Sequence, residues 1–154
     1  TLDLLHASCA YALGQYEASA QSLREYLNPE LEGEALKNFK ANQSETAHYL
    51  HRLLRSRVPV ELPELPGAGE SARLFNAYGN GEATRKQVFD WAGRADTPET
   101  ARSRICSTAF WLAQFEAAAG KPAAARELLK ISLATGSTEN PEWQFARWQV
   151  VQGD

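Results

Sequence analysis

The strongest constraint on the fold of this chain is a pair of segments that read alike around a glycine. Ala7-Ser-Cys-Ala-Tyr-Ala-Leu-Gly-Gln-Tyr-Glu-Ala-Ser-Ala-Gln-Ser-Leu23 and Ala113-Gln-Phe-Glu-Ala-Ala-Ala-Gly-Lys-Pro-Ala-Ala-Ala-Arg-Glu-Leu-Leu129 align on Gly14 and Gly120. Each has a small residue seven places before the glycine (Ala7, Ala113) and another five places after it (Ser19, Ala125). Leucine follows nine places after the glycine in both (Leu23, Leu129). Glycine ends a helix at low cost, and small side chains on either side of the turn let two antiparallel helices approach closely. The two glycines lie 106 positions apart, close to three periods of about 34 residues. Gly79 and Gly81 fall near the second intermediate place, whereas the first, around Asn42, has no glycine. The outer two hairpins are therefore expected to be regular and the inner two degenerate.

Punctuation elsewhere points to helices throughout. Pro98, Pro122 and Pro141 each stand at a first helical position, where the missing N–H has no intrahelical partner. Thr97 and Asn140 precede two of them as candidate caps, and Asn42 with Glu45 three places on reads as a further helix start. Apolar residues recur at helical spacing, predicting helices near 2–13, 16–27, 31–41, 43–56, 69–78, 82–94, 98–118, 122–134 and 141–152. The helix from 98 is apolar on two sides, Ala101, Ile105, Ala109 and Leu112 on one and Thr108, Trp111 and Phe115 on the other. It is expected to lie between neighbours. Only 57–68 is irregular: Pro59, Pro63 and Pro66 forbid a helix there and predict an extended connector.

Charge removes two classes of partner. With 16 Lys and Arg against 19 Asp and Glu, the chain carries a formal charge of −3. It has no basic footprint for nucleic acid or an anionic membrane. No apolar run approaches the roughly 20 residues of a membrane span. The absence of methionine implies a fragment or a processed product.

Candidate chemistry is sparse. Glu45, His48 and His51 fall at i, i+3 and i+6, half of a carboxylate-bridged metal site. A metal also needs ligands from other helices, and His6 is the only further histidine. Gly67-Ala-Gly-Glu-Ser-Ala72 fits a dinucleotide fingerprint literally, but Pro63 and Pro66 break the strand that the fingerprint requires. Asn42-Gln-Ser44 is a glycosylation sequon that doubles as a helix start. Cys9 and Cys106 read as small core residues, with a disulfide between them left open because spacing does not fix connectivity. Neither these cysteines nor any serine has a local base for nucleophilic catalysis. No catalytic residue, cofactor or metal ligand is assigned. Trp111 and Trp143 are most simply core, and Arg52, Arg55 and Arg57 suit a helix C-terminus.

The spacing around Gly14 and Gly120 resembles that of tetratricopeptide repeats. From Arg73 to Val150 the chain also resembles the C-terminal half of the NlpI-type bacterial lipoproteins that carry such repeats. The resemblance rests on Ala77-Tyr-Gly-Asn-Gly81, Phe110-Trp-Leu-Ala113, Gly120, Ala125-Arg-Glu-Leu-Leu-Lys-Ile-Ser-Leu-Ala-Thr135 and Glu142-Trp-Gln-Phe-Ala-Arg147. It implies an all-α, right-handed solenoid forming one domain, with hairpins at about 2–27, 31–56, 69–94 and 98–134 and a capping helix at 141–152. It further implies an envelope adaptor that presents substrates to a processing protease, although the lipidated N-terminal cysteine and upstream repeats of that family are not in this sequence. A short cytoplasmic export chaperone, of the type III secretion kind, is the alternative, and a metal-binding enzyme a third. The expected partner is another protein or a peptide, held in a groove by His6, Tyr11, His48, Arg52, Arg104, Trp111 and Phe115. Apolar ends of such a stack also allow two copies to pair.

Overall fold

A computed structural model describes residues 2–41, 44–65 and 67–153. Among these residues the chain is all-helical, with no strand. The helices are α1 (Leu2–Ala12), α2 (Tyr16–Leu27), α3 (Gly33–Ala41), α4 (Glu45–Leu54), α5 (Glu70–Gly79), α6 (Arg85–Gly93), α7 (Pro98–Ala118), α8 (Pro122–Ala134) and α9 (Pro141–Gln152). All nine lie within a few residues of the spans read from the apolar periodicity. The chain divides into two compact units, Thr1–Arg73 and Leu74–Asp154.

In the first unit α1 and α2 pack along each other, and α4 lies against both. The small residues of the hairpin are at its seam: Ala7 and Ser19 are fully buried, and the Ser19 hydroxyl donates to the Ala7 carbonyl at 2.7 Å. A larger side chain at either place would hold the backbones apart. The turn is closed by Gly14, at φ +74°. The Gly14 amide donates to the Tyr11 carbonyl (2.9 Å) and that of Gln15 to Ala10 (2.8 Å), the paired bonds of a left-handed helix stop. Tyr49 on α4 closes the unit toward α5, its hydroxyl donating to Ser71 at 2.9 Å.

The hairpin expected over 31–56 departs from that pattern. Among the described residues α3 buries none of its own, and Phe39 sets its ring edge-on to Tyr26 at 5.4 Å between centroids. Helix α4 instead buries Ala47, Leu50, Leu53 and Leu54, and its main neighbours are α1 and α2. A helix without a buried stripe cannot hold a partner helix by apolar contact. The Asn42 cap and sequon lie outside the described residues. Ser44 takes the N-cap position of α4 without a side-chain bond.

The second unit is built around α7, which packs on α6, α8 and α9. Every residue from Thr108 to Glu116 is buried. Its start is capped by Thr97, whose hydroxyl accepts from the Thr100 amide at 3.2 Å. Helix α6 opens with a reciprocal cap in which Thr84 and Gln87 bond each other's backbone amides. Asn140 behaves otherwise than its sequence position suggests. It makes no cap bond, and its side-chain amide donates to the Ser103 carbonyl (3.1 Å) and hydroxyl (2.9 Å), tying the start of α9 to α7.

The α7–α8 turn repeats the first one bond for bond. Gly120 also stands at φ +74°. Its amide donates to Ala117 (3.1 Å), and the Lys121 amide donates to Glu116 (2.9 Å). Ala113, Ala125 and Leu129 are buried at the seam, as Ala7, Ser19 and Leu23 are in the first hairpin.

Candidate partner-binding surface

The seven candidate contact residues divide by burial. In the first unit His6 is exposed on α1 and its Nδ1 lies 2.6 Å from the Ser22 hydroxyl on α2. Arg52 is half-buried on α4. Tyr11 is buried, with its ring 5.1 Å from that of Tyr16, over which the Arg57 guanidinium also sits at 5.1 Å. Burial pushes the Tyr11 hydroxyl up to about 12, with Arg57 opposing. It is an inert packing group. His48 is also buried, and its Nε2 has no hydrogen-bond partner among the described residues. Desolvation, and then the neighbouring His51, hold its imidazole below the ordinary value, with Glu45 opposing.

In the second unit Arg104 is exposed and stacks over Trp91 at 5.2 Å. Trp111 is fully buried, its indole N–H donating to Glu142 at 3.3 Å. Phe115 is buried 6.0 Å from Phe75. Tyr11, His48, Trp111 and Phe115 are therefore core residues of their own units and cannot line an open groove. His6, Arg52 and Arg104 retain surface. On α7 the second apolar side, with Trp111 and Phe115, meets other helices of the same unit.

One concavity lies away from all seven candidates. In the first unit a cavity of about 610 Å³ is lined by Arg24 of α2, His51 of α4, Arg55 just beyond it and the extended segment 60–64. That segment is held by side chains reading its backbone. Arg24 Nε donates to the Glu61 carbonyl (3.1 Å), and His51 Nε2 lies 2.8 Å from the Pro63 carbonyl. Burial lowers the His51 pKa; the bond to Pro63 raises it and the nearby Arg55 charge lowers it further. Among the described residues neither Arg24 nor Arg55 forms an ion pair. The signal available in the sequence was a basic helix end running into a proline-rich segment with two glutamates.

Groups with chemical potential are tied into packing. Tyr78 donates to Glu116, toward which Lys121 reaches at 3.5 Å. Burial, and then that acceptor, push the Tyr78 hydroxyl up to about 12, so it keeps its proton. Cys106 is a free, buried thiol pushed up by desolvation, and Cys9 is a free, half-buried one. A thiol held protonated is a poor nucleophile. Among the described residues no three His, Cys, Asp or Glu side chains gather as a metal site, and no helix is long and apolar enough to cross a membrane. The Gly67–Ala72 stretch leads into α5 with no strand before it, so its likeness to a dinucleotide loop lacks the required setting.

Comparison with protein-family models, curated proteins and solved structures finds no match for this chain.

Proposed function

We propose that this chain is a protein-interaction scaffold or adaptor assembled from helical hairpins of the tetratricopeptide kind. The observation that supports this reading is the repeated hairpin: two turns, at Gly14 and Gly120, with the same φ and the same pair of closing bonds. Stacked modules of this kind create extended surfaces that bind partners. The resemblance of 73–150 to the NlpI-type lipoproteins extends the proposal to an envelope adaptor that delivers substrates to a protease. Leu2, Leu5 and Leu13, all exposed on or beside α1, give pairing of two copies a surface.

The remaining exposed candidates supply the test. Affinity capture from the native cells, followed by mass spectrometry, compares the wild type with Arg52→Glu combined with Arg104→Glu. Recovery of the partner should fall by about ten-fold or more, as when anchoring arginines are reversed in charge. Undiminished capture by a folded double variant counts against these anchors, and turnover of a small substrate by the pure chain counts against the scaffold.

A further inference from the structure

We propose that the α2–α4 face of the first unit is a docking groove for an extended, proline-interrupted acidic peptide, and that the chain's own segment 58–65 is its intramolecular occupant. The inference deepens the scaffold reading and rests on it. Val58 still bonds back to Leu54, and from Pro59 to Leu65 the chain runs on without regular backbone bonding, because Pro59 and Pro63 lack amide donors. Its carbonyls at Glu61 and Pro63 are bound by side chains of α2 and α4, not by a ladder of backbone bonds. Helical surfaces hold extended peptides in this way, with side chains of the host addressing the ligand's main chain.

The remaining observations specify the ligand. Val60 and Leu62 are half-buried against the unit while Glu61, Pro63 and Glu64 are exposed, so apolar side chains point in and carboxylates lie at the rim. Beside them the cavity of about 610 Å³ exposes Arg24, His51 and Arg55, and the two guanidinium groups have no carboxylate partner among the described residues. An arginine fork suits a carboxylate that can approach it on both prongs. A tethered occupant competes at an effective concentration on the order of millimolar, so an external peptide binds well only once the segment is loosened.

The test uses a fluorescein-labelled peptide of sequence VPVELPEL and the whole chain, read by fluorescence anisotropy. In one variant the segment is vacated at constant length by Val60→Gly, Glu61→Ser, Leu62→Gly, Pro63→Ser and Glu64→Gly. This variant should bind the peptide about ten-fold or more tighter than the wild type. Adding Arg24→Ala and Arg55→Ala to it should remove that gain, and a peptide with both glutamates replaced by glutamine should bind about five-fold or more weaker. A second, milder variant, Val60→Gly with Leu62→Gly, loosens the segment and leaves Arg24, His51 and Arg55 in place; it too should bind more tightly than the wild type. The proposal is overturned if a vacated chain with native circular dichroism shows no gain, if the gain survives loss of both arginines, or if the milder variant matches the wild type. Failure here with partner capture intact removes the groove alone; loss of partner capture as well removes the scaffold reading.

Discussion

Leucine in place of Ala113 should destabilise the second unit, and leucine in place of Ala7 should do the same to the first by a similar amount. Both alanines are fully buried at the seam of a hairpin, seven places before the closing glycine. In the first hairpin the approach is close enough for a serine on α2 to donate directly to the α1 backbone at 2.7 Å. Three added carbons have no void to enter, and overpacking of this kind costs about 1–3 kcal/mol. In a unit of this size each kcal/mol moves the melting temperature by about 4–8 °C, so a fall of about 5–20 °C is expected. Ala117→Leu, four residues along the same helix but exposed, is the matched control and should stay within about 0.5 kcal/mol of the wild type. Melts followed by far-ultraviolet circular dichroism read both units. Tryptophan fluorescence isolates the second, because Trp91, Trp111, Trp143 and Trp148 all lie there. The reasoning fails if Ala113→Leu is as harmless as Ala117→Leu, and the equivalence of the hairpins fails if only one of the pair is costly.

Other outcomes follow from single contacts. Gly120→Ala forces a side chain into φ +74° with nothing within 4 Å to clash, so it should cost only the backbone penalty of about 1–2 kcal/mol, measured by urea unfolding. Trp111→Ala removes the largest fully buried side chain and should cost about 3–5 kcal/mol by the same assay. His48 and His51 both titrate below their ordinary range when folded, so the unfolded chain takes up protons first. Stability should be flat above about pH 6.5 and fall as the pH drops below it, with a limiting slope of about 1.4 kcal/mol per pH unit for each histidine. Unfolding by urea at a series of pH values checks this, and the slope should shrink in His48→Gln; an unchanged profile contradicts it.

The helices were legible in the sequence because helical periodicity and terminal Pro, Thr and Gly are local signals. Thr97 and Gly120 act where they stand. The hairpin seams were legible for a related reason: Ala7, Ser19, Ala113 and Ala125 are small because another backbone passes over them. The remainder depended on distant partners. Nothing within reach of Asn140 in the chain reveals that its amide is drawn away to Ser103, and the weak apolar stripe of α3 gave no warning that α4 would pack on the first hairpin instead. The binding candidates were hardest to judge, since Trp111 and Phe115 look alike on a helical projection whether the facing surface is solvent or α9 or α5. Residues 59–65 were legible as a break between helices, but their bonds to Arg24 and His51 bridge 37 and 12 positions, and no local pattern encodes such pairs.

The central claim is that Gly14 and Gly120 close the same turn in two copies of one hairpin. Native-state hydrogen exchange by nuclear magnetic resonance addresses it at the Gln15 and Lys121 amides, bonded to Ala10 and Glu116 at 2.8 and 2.9 Å. Both should exchange more slowly than Glu17 and Ala123, whose first-turn amides have no intrahelical acceptor. Exchange of either closing amide as fast as those two contradicts the claim.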